Sequence, residues 1–165
     1  MKQPKPEKPG PGQESVWDYP RPPRLETSND SVEIVLNGQV VARTTRSWRV
    51  LETSHPPTYY VPREDFLDGV LRPTQGASMC EWKGQASYFD LVVGDVVAPR
   101  AGWTYPSPTP RFAELADAVA VMPELVDRCV VNGETVQPQP GSFYGGWVTS
   151  RVVGPFKGEP GTWGW

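Results

Sequence analysis

The chain is poor in the residues that most often carry chemistry: its 165 positions hold two cysteines and one histidine. Cys80 and Cys129 make no disulfide framework, and with no export signal in view both are expected reduced. Lysine is scarce as well. From Ser15 onward there are eleven arginines but only Lys83 and Lys157 as lysines. No apolar run approaches the roughly 20 residues of a bilayer-spanning helix. The opening MKQPKPEKPGPGQES is charged but lacks the apolar centre of a secretory signal. A cytoplasmic protein is the expectation. A formal net charge of -3 and a pI near 5.2 provide no overall attraction for nucleic acid or an anionic membrane, so neither is expected as a partner. Also missing are a GxxxxGK[ST] phosphate loop, a close aspartate pair for two-metal phosphoryl transfer, and the paired-cysteine knuckles of a zinc module. No metal and no other cofactor is expected.

Proline and glycine, by contrast, are plentiful, at 20 and 16 residues. Proline removes a backbone donor and glycine permits positive φ, so both penalise helix interiors and punctuate strands. The composition predicts a mainly β fold with many turns and one or two short helices. Residues 1–14 hold no large apolar side chain after Met1 and read as a mobile tail. Residues 15–30 set Trp17 and Tyr19 beside three prolines, an extended arm expected to lie on a surface rather than in a sheet.

Residues 31–137 read as a single β domain. SVEIVL-NG-QVVARTT alternates about Asn37-Gly38, the dipeptide best suited to a type I′ hairpin turn. SWRVLET (47–53) and Thr58–Val61 continue the strands, with Pro56-Pro57 between them. Pro62–Leu67 suggests one helical turn. After a loop through Thr74-Gln75-Gly76 comes CEWKG, then two β-rich runs about Gly94-Asp95. Thr109 and Pro110 mark the cap and first position of a short helix to Ala116. AVAVM (118–122) and DRCVV-NG-ETV supply the last strands. Residues 138–165 form a Gly/Pro-rich C-terminal arm with six aromatics, including Trp147, Trp163 and Trp165, and such side chains gain from being covered. The arms are expected to dock, on their own domain or on a second subunit as a homodimer.

The blocks ESVWDYPRPPR, ETSHPPTYYVPRED, CEWKGQASYF, GWTYPSPTP and FYGGWV…GPFKGEPGTWGW together resemble the bacterial family known as domain of unknown function 427, which also carries a nucleotidyltransferase label. The likeness runs from Ser15 almost to the end. It implies a compact antiparallel β domain similar to the Mss4-like or β-tent group. Glu81 and Phe89 stand where the family pattern usually has proline and tryptophan. A carboxylate at Glu81 disfavours a thiolate at Cys80.

The candidate site lies in the SHPPTYY and CEWKG blocks. Cys80 fits a nucleophile or a small buried side chain; Cys129, inside an apolar strand, is core. Lys83 fits an anion-binding ammonium or a solvated amine, and a turn at Trp82–Gly84 is needed to bring it beside Cys80. His55, the one side chain that unperturbed titrates between pH 5 and 8, fits an acid/base or a ring that ties its loop to backbone carbonyls. Glu52, Tyr59, Tyr60 and Arg63 complete the first block. Period two turns only one of the two tyrosines toward a cleft, and Arg63 fits either an anion ligand or a solvated helical turn. Trp82, Trp103 and Tyr105 can wall a cleft for a flat ligand; Tyr88 reads more readily as packing. Two functions follow: a small-molecule enzyme, nucleotidyltransferase-like or otherwise, acting on a nucleotide or phosphorylated metabolite, or a non-catalytic module binding such a ligand.

Overall fold

A computed structural model describes residues 4–165, and its strands follow the turn chemistry closely. They are β1 (Glu14–Ser15), β2 (Arg24–Ser28), β3 (Val32–Leu36), β4 (Gln39–Thr44), β5 (Ser47–Leu51), β6 (Thr58–Pro62), β7 (Leu71–Cys80), β8 (Gly84–Val93), β9 (Val96–Thr104) and β10 (Ala118–Val121). The remainder are β11 (Arg128–Val131), β12 (Glu134–Thr135), β13 (Gln137–Pro138), β14 (Trp147–Val148) and β15 (Val152–Val153). Asn37-Gly38 and Asn132-Gly133 close the β3–β4 and β11–β12 hairpins with all four residues at positive φ, the conformation a type I′ turn requires. The helical content is 3-10, in short pieces such as Arg63–Asp65 and Pro110–Asp117.

Seven strands form the larger sheet in the order β2-β5-β6-β10-β9-β8-β7, and four form a second in the order β12-β11-β3-β4. Among the described residues, every ladder is antiparallel except the two-residue β1–β15 pair. The mainly β architecture is therefore the one the composition predicts, and its antiparallel ladders are those the family resemblance implies. The main core unites Ile34 and Val41 of the small sheet with Tyr59, Leu91, Val119 and Val121 of the large one. On the opposite face of the large sheet, Tyr60, Ala118 and Ala120 pack under Phe112 and Leu115 of the 3-10 segment. Its central strands are thus covered on both sides, which explains the unbroken apolar run AVAV.

Three expectations need correction. Thr74-Gln75-Gly76, expected as a loop, lie inside the edge strand β7; a bulge between Thr74 and Ala77 takes up Gly76, and Pro73 stands in register with Phe89 on the sheet edge. Arg24–Ser28, expected outside any sheet, pairs with β5 in a five-residue register as the other edge. Thr109 sits at the helix cap but does not cap with its side chain; its hydroxyl donates instead to the Trp82 carbonyl at 2.6 Å.

Both arms pack on the chain's own domain. Trp147 is 1 % exposed, stacks on Tyr59 with centroids 5.0 Å apart, and donates its indole N–H to the Val121 carbonyl at 3.0 Å. Trp17 donates to the Pro155 carbonyl at 2.9 Å, so the N-terminal arm is tied to the C-terminal one.

Candidate functional site

His55 leaves strand β5 through a backbone twist. Ser54 takes φ 71°, a left-handed conformation uncommon for a side chain with a Cβ. Its N–H donates to Val16 and its carbonyl accepts from Lys157, at 3.0 and 2.9 Å, so neighbours on both arms hold the twist. The His55 Nδ1 lies 2.9 Å from the Thr53 carbonyl. A carbonyl only accepts, so the neutral ring carries its proton on Nδ1 and leaves Nε2 as a base. Burial pushes the imidazole below its ordinary value. Lys157 and Arg21 act in the same direction, and together they outweigh the Glu52 carboxylate 3.8 Å away and the Thr53 carbonyl. The ring is therefore neutral at pH 7.

The CEWKG block forms the bend its spacing requires. Cys80 ends β7 and pairs with Gly84, which adopts φ 105° to open β8. Thr109 clamps the bend from outside: its hydroxyl holds the Trp82 carbonyl, and its N–H donates to the Lys83 carbonyl at 3.1 Å. The Lys83 ammonium consequently stands over the Tyr105 and Phe112 rings, 5.6 and 6.0 Å from their centroids.

Both blocks open onto one cleft of about 580 Å³. Of the ten candidates, Glu52, His55, Tyr60, Cys80, Trp82, Lys83, Trp103 and Tyr105 line it. Tyr59 does not. It points to the other face of the sheet and stacks on Trp147, while Tyr60, buried on the cleft side, meets Trp103 and Tyr105 with centroids 6.4 and 6.3 Å away. Arg63 also lies elsewhere, over the Phe89 ring at 4.9 Å, in a shallow depression shared with Glu64 and Asp68. Tyr88, assigned to packing above, lines the cleft with the Arg100 guanidinium 4.3 Å over its ring. Cys129 is fully buried in the main core, and burial pushes its thiol up. Among the described residues, no group of three or more His, Cys, Asp or Glu side chains is arranged to hold a metal.

Residues 139–157, part of the C-terminal arm, supply a further wall. Gln139, Phe143, Tyr144 and Lys157 line the same cleft. Tyr144 meets the imidazole edge-on, centroids 4.9 Å apart. The signal available was Lys157 itself, one of two lysines in the body of the chain. Gly145 is needed for close approach, because a Cβ there would overlap the Trp103 ring and press on the Met122 sulfur. Gly145→Ala is expected to cost about 1–3 kcal/mol of overpacking, relieved by displacing Trp103. Indole fluorescence should shift and the melting temperature should fall by several degrees; an unmoved spectrum would show that the approach is not tight.

No curated protein matches the chain. Residues 24–132 match the family model described as domain of unknown function (DUF427), whose short name marks nucleotidyl transfer. That span contains both blocks but ends before the wall at 139–157. The match covers well over half of the chain, which belongs to the DUF427 family.

Proposed function

We propose that the cleft is the active site of a small-molecule enzyme whose substrate joins a flat ring to an anionic group, as a nucleotide or phosphorylated metabolite does. One observation carries the reading: a neutral imidazole, two lysines and an aromatic wall converge on a single cleft. Trp82, Trp103 and Tyr105 supply faces for a ring. Lys83 and Arg100 supply positive charge for an anion. His55 accepts a proton through Nε2, and the Thr53 carbonyl holds its tautomer. Cys80 lines the cleft. Nucleotidyl transfer is one reaction of this class: an acceptor hydroxyl would lose its proton to His55 while attacking the α-phosphorus, and pyrophosphate would leave.

The test separates binding from turnover. Titration with adenosine 5′-monophosphate should quench indole fluorescence more strongly than adenosine or inorganic phosphate alone. Trp82→Ala and Lys83→Ala should each weaken that binding. Pyrophosphate release from the four nucleoside triphosphates then tests turnover, which His55→Gln should reduce about 10²–10⁴-fold with binding retained. Equal turnover by His55→Gln removes His55 as the base. A second reading, a non-catalytic binding module, is favoured by the number of aromatic side chains relative to reactive ones, and tight binding without any turnover would establish it.

A further inference from the structure

Lys157 has a combination of surroundings that differs from Lys83. Its main chain is fixed at both polar groups: the N–H donates to the Ser54 carbonyl at 2.9 Å, and the carbonyl accepts from the Gln139 side chain at 2.7 Å. This pins the residue beside the His55 loop. Its Nζ lies 5.6 Å from the Tyr144 centroid, the same ring that meets His55. Among the described residues no Asp or Glu side chain lies within salt-bridge reach of that amine. Glu52, the carboxylate on this side of the cleft, is held by Arg21 at 3.3 Å and faces His55 at 3.8 Å. The one polar contact of the amine is the Trp165 main-chain oxygen at 3.5 Å, at the outer limit of a hydrogen bond.

A lysine fixed in a cleft, partly desolvated, without an Asp or Glu partner and near another cation, is the arrangement that turns an ammonium into a free amine. The groups facing Lys157 act in both directions. The Tyr144 face and the Trp165 oxygen attract the ammonium, and so does Glu52. Burial opposes it most strongly and Arg21 adds to that, with the net result that the amine loses its proton below the ordinary lysine range. Beside it stands an imidazole able to accept and return a proton.

We propose that Lys157 is a nucleophilic amine of this cleft and condenses with the carbonyl group of its substrate, which extends the substrate class to a ring-bearing anion with an aldehyde or ketone. This rests on the cleft being the ligand site. In the step, the Nζ lone pair attacks the carbonyl carbon as the carbonyl π electrons move to oxygen, which takes up a proton from solvent water. The nitrogen loses a proton to His55 Nε2. His55 returns a proton to the carbinolamine oxygen, water leaves, and an imine joins Lys157 to the substrate carbon. No oxidant or metal is required, and the charge of the product imine depends only on its protonation.

The full chain can be tested with pyridoxal 5′-phosphate, which unites a flat ring, a phosphate and an aldehyde. Pyridoxine 5′-phosphate is the control, since it keeps ring and phosphate but cannot condense. Borohydride reduction after brief exposure near pH 7.5, followed by peptide mass spectrometry, reads the labelled lysine. Lys157 should be labelled several-fold faster than Lys83 or the tail lysines, and pyridoxine 5′-phosphate should slow the labelling. Lys157→Arg keeps the charge but not the nucleophile, so it should bind the control and lose the label. Near-ultraviolet circular dichroism checks that the variant is folded. Binding of the control by the parent chain with labels spread evenly over all lysines would overturn the role of Lys157 and leave the cleft intact. Failure of the parent chain to bind either compound would overturn both.

Discussion

Replacement of Trp147 by alanine is expected to destabilise the chain by about 3–5 kcal/mol, the usual cost of removing a fully buried tryptophan. Three losses combine there. The indole fills space between the arm and the main core, its stack on Tyr59 disappears, and the Val121 carbonyl loses its donor. For a chain of this size the melting temperature should fall on the order of 10 °C. Trp147→Phe retains most of the area and the stack, and should cost less than half as much. Thermal unfolding followed by circular dichroism decides the matter. An unchanged transition in Trp147→Ala would mean that residues 138–165 do not dock as described, and the wall carrying Tyr144 and Lys157 would go with them.

The second large effect centres on Arg49, which is 1 % exposed and lies on β5. It holds Glu14 at 3.1 Å and Glu26 at 2.8 Å, while Arg151 holds Glu14 at 3.2 Å and Asp30 at 2.9 Å. Tyr19 donates to Glu14 at 2.6 Å. The network therefore clasps the N-terminal arm, β2 and the C-terminal arm together. Arg49→Met keeps the bulk and removes the charge, leaving two carboxylates facing one another. A cost of about 3 kcal/mol is expected, the low end for breaking a buried pair, because both carboxylates retain partial contact with water.

The same network sets an acid limit. Burial raises Glu14, but the hydrogen bonds from Arg49 and Tyr19 and the charge of Arg151 more than reverse this. Asp30 is likewise lowered, burial being outweighed by Asn132, Ser28 and Arg151. Each carboxylate binds its proton less readily folded than unfolded. Their contribution is present above the ordinary carboxylate values and is lost as pH falls below about 4 through the folded ones. Denaturant midpoints measured between pH 6 and 3 should decline for the parent chain and decline less steeply in Arg49→Met. Parallel declines would exclude this clasp as the source.

The turns were legible because their chemistry is local. Asn37-Gly38 and Asn132-Gly133 need positive φ, and few other dipeptides supply it. The bend at Trp82–Gly84 was legible for a similar reason, since a glycine follows directly. Strand β7 was not, because proline and glycine within a run argue against a strand unless a bulge and an edge position are known. Nor could period two choose between Tyr59 and Tyr60. Both are buried, one on each face, because the large sheet is covered on both sides. The donor role of Thr109 was hidden by its agreement with a cap, an equally good use of the same hydroxyl.

Composition, turn dipeptides and period-two alternation by themselves determined that this chain is an antiparallel β protein, and that its rare histidine and one of its rare lysines sit at loop positions. These are short-range properties, decided by backbone sterics within a few residues. Only the tertiary structure decided that those positions share a cleft, that Arg63 and Tyr59 lie outside it, and that a lysine about a hundred residues from His55 completes its wall. Long-range closure depends on how two arms pack around a sheet, and no local pattern encodes which side chains meet there.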